Sequence, residues 1–293
     1  MIVCINSLKG IKVKNEGFQN IFKCNLIVFI EKTGIERMTR LICYNIEYCE
    51  GIEGRWYEYL KFWKIFFPPK HLDLKIIKTF NKLKADIIAL VEVDIGSFRS
   101  RGKDEVRYIA KETGLKNFIE KIKYPINGWM SLFHHIPILD MQANGVVSKY
   151  KFHGVCYHIF HEGTKRMIIE ASVNCPKKVT LLICHLALGK ENRRKQIQEL
   201  INIVNKIKNP VILIGDFNTF NGDIEIRELL RRTKLDDKIS LDKEDLPLTE
   251  PSWSPSRRLD YILTSNEIRV KKYKILNYHF SDHLPVMIDF EVK

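Results

Sequence analysis

The sequence predicts an α/β protein, and three observations predict it. Aliphatic runs such as residues 211–214 (VILI) and 179–184 (VTLLIC) have the length and branching of strands buried on both faces. Two segments with apolar residues at helical spacing lead into such runs. Residues 72–84 carry Ile76, Ile77, Phe80 and Leu83 on one face, and residues 192–208 carry Ile197, Leu200, Ile201, Val204 and Ile207. Third, one strand after another ends in Asn, Glu, Asp or His. Strands alternating with helices build a layered α/β domain, and polar strand ends gathered at one sheet edge give that domain a place for chemistry.

Residues 1–37 stand apart from this pattern. They hold one apolar run (CNLIVFI, 24–30) and read as an N-terminal extension, either an added strand or a segment upstream of a start at Met38. The first strand, RLICY (40–44), leads into Asn45 and Glu47, spaced i, i+2. Such a pair points to one side of the chain if the extended conformation continues. The following segment, RWYEYLKFWKIFFPP (55–69), places Trp56, Tyr59, Leu60, Trp63 and Phe67 on one face of a helix ended by the double proline. Core packing, a substrate-facing aromatic wall and an interfacial helix seated among lipid headgroups all fit it.

The helix at 72–84 feeds DIIALV (86–91), which ends at Glu92, and strands dominate 138–173, where Asn144 lies in QANGVVSKY. VTLLIC ends at His185. The helix at 192–208 feeds VILIG, which ends at Asp216 and Asn218, again i, i+2, and Gly215 before them lets a backbone or substrate approach closely. Residues 223–232 read as a short helix with basic residues at its end. Strands dominate 259–292, with Asp260 in RRLDYIL and Ser281-Asp282-His283 just before VMIDFEV. Taken singly, each polar end has a bland explanation: Asp and Asn are ordinary turn residues, a lone Asp caps or pairs, and a lone His is a satisfied polar group. Five strands with the same design make coincidence a poor explanation. His134, His135, His153, His158 and His161 stand in no motif.

The ordered blocks YNIEY (44–48), ALVEVD (89–94), CHLAL (184–188), GDFN (215–218), RRLDYIL (257–263) and SDHLP (281–285) resemble the endonuclease/exonuclease/phosphatase, or DNase I-like, superfamily. The resemblance runs from about Thr39 to the end of the chain. It implies a four-layer α/β/β/α sandwich, two packed mixed β-sheets flanked by helices, with 38–293 as the catalytic domain. It also implies a phosphodiester hydrolase using Mg²⁺ or Mn²⁺, hard cations that suit oxygen ligands. On this likeness Glu92, Asn45, Glu47 and Asp282 hold the metal. His283 contacts the scissile phosphate or acts as base, and Asp260 orients it. Asp216 positions the attacking water, Asn218 hydrogen-bonds phosphoryl oxygens, and His185 is a phosphate ligand or leaving-group acid. Asn144 binds substrate.

Composition bounds the rest. The 293 residues carry no Pro/Gly/Ser-rich linker or repeat, so one domain is expected, as a monomer. Seven scattered cysteines without CxxC spacing fit a reducing cytoplasm. No apolar run approaches the ~20 residues of a transmembrane span. A net charge of +13 suits a polyanionic partner: nucleic acid above all, or anionic lipid or a phosphorylated small molecule. It equally suits a lineage rich in lysine. Arg99, Arg101, Lys103, Arg193, Arg194 and Lys195 follow the Glu92 and His185 strand ends and are candidate backbone contacts. Val91 before Glu92 departs from the abasic-site endonucleases, and SWSPSRRLDYIL departs from the inositol phosphatases. A nuclease is therefore expected, with a sphingomyelinase-like phosphodiesterase, a small-molecule phosphatase or a catalytically silent binding module as alternatives.

Overall fold

Twelve strands form two six-stranded mixed sheets packed face to face, with helices on both outer sides, in a computed structural model that describes residues 38–51, 57, 60, 62–69, 71–123, 139–239 and 247–293. The expectations for the extension 1–37, for Trp56, Tyr59, His134 and His135 lie outside the described residues.

The first sheet runs β11 (Ile268–Ile275), β12 (Val286–Val292), β1 (Thr39–Asn45), β2 (Ile87–Asp94), β4 (Gln142–Ser148), β3 (Asn117–Ile122). The second runs β5 (Phe152–Ile159), β6 (Met167–Asn174), β7 (Lys178–His185), β8 (Val211–Asp216), β10 (Asp260–Ser265), β9 (Leu235–Asp236). Each sheet has one parallel pair at its centre, β1 with β2 and β7 with β8. Each pair is joined by a crossover helix, α1 (Leu72–Leu83) in the first and α3 (Lys190–Lys206) in the second. Parallel neighbours require such a crossover, which is why the sequence alternates strand and helix at just these places.

Strand alternation sorts the core. Leu41, Cys43, Ile87, Ala89 and Val91 face Ile169, Ala171, Leu181, Ile183, Ile212 and Ile214 between the sheets. Their intervening neighbours Ile42, Tyr44, Ile88 and Leu90 pack outward on Ile76, Ile77 and Phe80 of α1 and on Val106 and Ile109 of α2 (Glu105–Thr113). On the other side Leu182, Cys184, Leu213 and Tyr261 pack on Ile197, Leu200, Ile201 and Val204 of α3 and Leu229 of α4 (Arg227–Arg232). Burial on both faces explains the unbroken apolar runs.

Two expectations are corrected here. Residues 223–232 form a single 3₁₀ turn, Asp223–Ile226, before the short α4, not one helix. In the aromatic segment the described part is a 3₁₀ helix, Phe62–Ile65, and Leu60, Trp63, Phe66 and Phe67 are exposed instead of packed in the core.

Candidate active site

Polar groups collect where the two parallel pairs end, and each pair delivers them by the same local device. The Asp216 carboxylate accepts the Asn218 backbone N–H at 2.9 Å. The Asn45 carboxamide oxygen accepts that of Glu47 at 3.1 Å. Both are side-chain-to-backbone turns of the kind Asx residues favour, and both put the second residue in the left-handed region, Asn218 at φ 51° and Glu47 at φ 45°. The i, i+2 spacing therefore marks a turn at the strand end. It does not continue the extended chain, as alternation had suggested. Gly215 has φ 147°, and a Cβ there would lie 1.8 Å from the Cys184 carbonyl oxygen, so it is the neighbouring strand that approaches it.

Glu92 is aimed by a bulge. The β2–β4 register shifts between Leu90 and Val93, and Glu92 sits in it at φ 56°. A bulge leaves one residue out of the ladder and redirects its side chain. Asn144 of β4 takes up the freed backbone group, accepting the Glu92 N–H at 3.3 Å through Oδ1.

Asp216 is the hub. It lies between His185 and Asp260 in the second sheet, its register neighbours on β7 and β10. Its Oδ2 accepts from Asn45 Nδ2 at 3.2 Å across the sheet interface and stands 3.2 Å from His185 Nε2 and 4.0 Å from His283 Nε2. Burial opposes its charge, but the hydrogen bond with the His185 ring and the positive charges of His283 and Lys165 outweigh that and hold the carboxyl well below its ordinary value. The His283 ring is fixed by Asp260, Nδ1 to Oδ2 at 2.7 Å, and its Nε2 is 3.9 Å from Asp282. Burial works against the imidazolium, yet Asp260, Asp282 and Asp216 together push its pKa well above the usual histidine value. His185 goes the other way: burial, reinforced by the Lys165 ammonium, brings it down to about 4. Asn218 is turned back into the fold, donating from Nδ2 to the Leu186 carbonyl at 2.8 Å.

The family model for the Endonuclease/Exonuclease/phosphatase family matches residues 52–283. The chain belongs to this family. Its fold is similar to that of an endonuclease/exonuclease/phosphatase from Beutenbergia cavernae, at 17% identity and a TM-score of 0.65 over 87% of this chain and 72% of that one. The human Nocturnin catalytic domain with bound sulfate aligns at 17% identity and a TM-score of 0.62, covering 87% and 95% of the two chains. The mannosyl-6-phosphatase from Bacteroides thetaiotaomicron aligns at 14% identity and 0.59, covering 86% and 99%. Identities this low speak to fold alone. No curated protein matches the sequence.

Enzymes of this family typically use divalent metals, and the donor set on β1, β2 and the β12 approach suits one. Glu47 Oε2 is buried without a hydrogen-bond partner. Burial first, and then Asp282, Glu50 and Glu92, raise the Glu47 carboxyl well above its usual value. That accumulation of negative potential is what a cation relieves. Among the described residues no three of His, Cys, Asp or Glu form a metal cluster on their own. Mg²⁺ does not require one, since it keeps several waters and binds through one or two carboxylates.

Two lysines of this site went unnoticed in the sequence. Lys123, 1% exposed at its side chain, donates to Tyr48 Oη and to Glu92 Oε1 at 3.2 Å. Lys165 Nζ stands against His185 Nε2 and lies 3.6 Å from the same Glu92 oxygen. Burial alone would raise the Glu92 carboxyl, but the Lys123 and Lys165 ammoniums hold it well below its ordinary range. Conversely, two of the arginines expected to reach substrate are structural. Arg99 is buried between Asp94 (3.1 Å) and Glu50 (3.0 Å), and Arg193 between Glu225 (2.6 Å) and the Ala187 and Leu188 carbonyls. Lys103 is engaged by Asp73.

Proposed function

We propose that this protein is a divalent-metal-dependent phosphodiester hydrolase acting on nucleic acid. The observation that carries the reading is the Asp216 carboxylate, held ionised within 4.0 Å of an imidazole that Asp260 fixes from behind. An ionised buried carboxylate can orient a water molecule and take its proton at an Oδ oxygen as the water attacks phosphorus; the ester P–O bond on the opposite side breaks and the leaving oxygen takes up a proton from solvent. Asn45 Nδ2 fixes that carboxylate's rotation. His283, kept protonated by its carboxylate neighbours, donates from Nε2 to a phosphoryl oxygen, where negative charge builds in the transition state. Asp260 holds the ring's other nitrogen, so the donor is oriented before substrate arrives. His185 is uncharged at neutral pH, which suits a hydrogen-bond partner of the phosphoryl group better than a leaving-group acid. Asn218 Nδ2 braces the segment beside Asp216, and Asn144 Oδ1 braces the Glu92 bulge while its Nδ2 has no hydrogen-bond partner and is available to a phosphoryl oxygen. Glu92, Glu47 and Asp282, with Asn45 adjoining, would hold Mg²⁺ or Mn²⁺, which would supply charge neutralisation for the phosphoryl and leaving oxygens.

The net charge of +13 supports a polyanion as substrate. The exposed Leu60, Trp63, Phe66 and Phe67 favour a second reading, a lipid-headgroup phosphodiesterase seated at an interface. Among proteins of like fold, one is a mannosyl-6-phosphatase and another holds sulfate, so a small phosphate ester remains in the panel of substrates. The deciding experiment offers plasmid, abasic-site duplex, single-stranded DNA, RNA, sphingomyelin and sugar or inositol phosphates in parallel, each with Mg²⁺ and with EDTA. Cleavage of DNA or RNA that stops in EDTA is expected. Full activity in EDTA on any ester would remove the metal-dependent reading, and turnover of sphingomyelin alone would replace the substrate.

A further inference from the structure

We infer that Lys165 is a phosphate-contacting residue of this site, exchanging Glu92 for a phosphoryl oxygen when cation and substrate bind together. The inference rests on the phosphate-ester reading above and assigns a role to a residue outside every sequence motif.

Lys165 is delivered by a purpose-shaped loop between β5 and β6. Gln196 of α3, fully buried, donates through Nε2 to the Glu162 and Lys165 carbonyls at 2.8 and 3.0 Å. Its Oε1 accepts the Ala187 N–H at 2.8 Å, which ties the same side chain to the segment after His185. Gly163 lies against it at φ 87°, where a Cβ would stand 2.8 Å from Gln196 Nε2. One glutamine thus fixes the Lys165 backbone relative to the β7 end.

The Lys165 ammonium is left with incompatible partners. It meets His185 Nε2, but that nitrogen is also 3.2 Å from Asp216 Oδ2. A neutral ring nitrogen cannot donate to the carboxylate and accept from the ammonium at once. Its other partner, Glu92 Oε1 at 3.6 Å, already takes Lys123 at 3.2 Å. A divalent cation on Glu92 repels both lysines. Lys123 is packed against Tyr48 at 1% side-chain exposure and has nowhere to turn, whereas Lys165 is 12% exposed at the end of a loop. An anionic oxygen placed beside Asp216 and His185 is the acceptor within its reach, and an ammonium is a well-suited point charge for phosphate.

Two opposed effects follow, which a merely structural lysine would not produce. Removing the ammonium takes away one of the two positive charges that oppose a cation at Glu92 and deprives phosphate of a donor. The test compares wild type, Lys165→Met and Lys165→Arg. Mn²⁺ binding alone is read by electron paramagnetic resonance, and inorganic phosphate binding at saturating Mg²⁺ by ³¹P NMR. Lys165→Met is expected to bind Mn²⁺ more tightly and phosphate about tenfold more weakly, the size of one charge-assisted hydrogen bond. Lys165→Arg should keep most of the phosphate affinity. Unchanged phosphate affinity in Lys165→Met overturns the inference. So does joint weakening of Mn²⁺ and phosphate, or a wild type that binds no phosphate. Lys165-dependent phosphate binding in a protein that hydrolyses no phosphate ester would uphold it while removing the hydrolase reading.

Discussion

At the residue scale the proposed reaction turns on His283, whose proton is sustained by Asp260, Asp282 and Asp216. His283→Ala is expected to lower kcat/KM by about 10³-fold, within the usual range for losing a positioned acid–base or oxyanion-stabilising group. Asp260→Asn should cost less than His283→Ala, since Asp260 orients and charges the ring without touching the phosphate. The pH profile separates the two roles. Activity that depends on the imidazolium falls as pH rises through its raised pKa, and removing the Asp260 charge lowers that pKa, so the alkaline limb of Asp260→Asn must move towards acid. A kcat/KM–pH profile in which the limb does not move would show that the Asp260–His283 contact does not govern the proton. The acidic and histidine members of the site were legible because each lies in or beside a strand, at the end of β1, β7 or β8, in the β2 bulge, or just where β10 and β12 begin. Lys123 and Lys165 were not, since lysines occur throughout this chain and a long side chain reaches the site from positions that carry no spacing signal.

At the scale of elements, the parallel pairs and their crossover helices were legible, because burial on both faces writes a continuous apolar run and a helix facing one sheet writes a clear stripe. Helix α2 and strand β3 were not foreseen, although Asp104 caps α2 by accepting from Arg107 N at 2.9 Å and Gly114 ends it at φ 72°. Those cap residues were the available signal. The turn at the end of β8 depends on one backbone contact, so Gly215→Ala should destabilise the fold by about 3 kcal/mol or more, since neither strand can yield to a Cβ 1.8 Å from the Cys184 carbonyl. An unshifted urea midpoint would refute the close approach. Helix α2 gives a second prediction. Glu105, buried in its first turn, accepts the Asp94 N–H at 2.8 Å. Burial, with the Asp94 charge adding to it, pushes its carboxyl up to about 8. The folded state therefore binds a proton that the unfolded chain has already released, and stability falls as pH rises from the ordinary carboxylate value towards 8. Glu105→Gln should leave Tm nearly unchanged at pH 5 and raise it by about 3 °C or more at pH 8.5. Equal Tm shifts at both pH values would refute an ionisation at Glu105.

At the scale of the whole molecule, the salt dependence of binding separates the two proposed substrates. Arg99 and Arg193 are spent on internal ion pairs, so contact with a polyanion falls to surface groups such as Arg101, Arg194 and Lys195. Contacts of that kind release counterions, and the affinity for an oligonucleotide must drop steeply with salt, with a log–log slope of about −0.7 to −0.9 per phosphate engaged. Reversing Arg194 and Lys195 together to Glu should flatten that slope without moving kcat on a short phosphodiester, because neither side chain reaches Asp216 or His283. An interfacial lipid phosphodiesterase behaves oppositely. Its binding is carried by apolar burial at Leu60, Trp63, Phe66 and Phe67, persists in salt, and fails in the double variant Trp63→Ala/Phe67→Ala. Sedimentation with anionic liposomes at high and low salt, run beside oligonucleotide titrations at the same ionic strengths, reads both signatures from one preparation. A steep oligonucleotide slope with aromatic-independent binding is expected. Salt-insensitive liposome binding that requires Trp63 and Phe67, with no cleavage of DNA or RNA, would move the substrate from the nucleic-acid backbone to the lipid headgroup while leaving the Asp216–His283 chemistry in place.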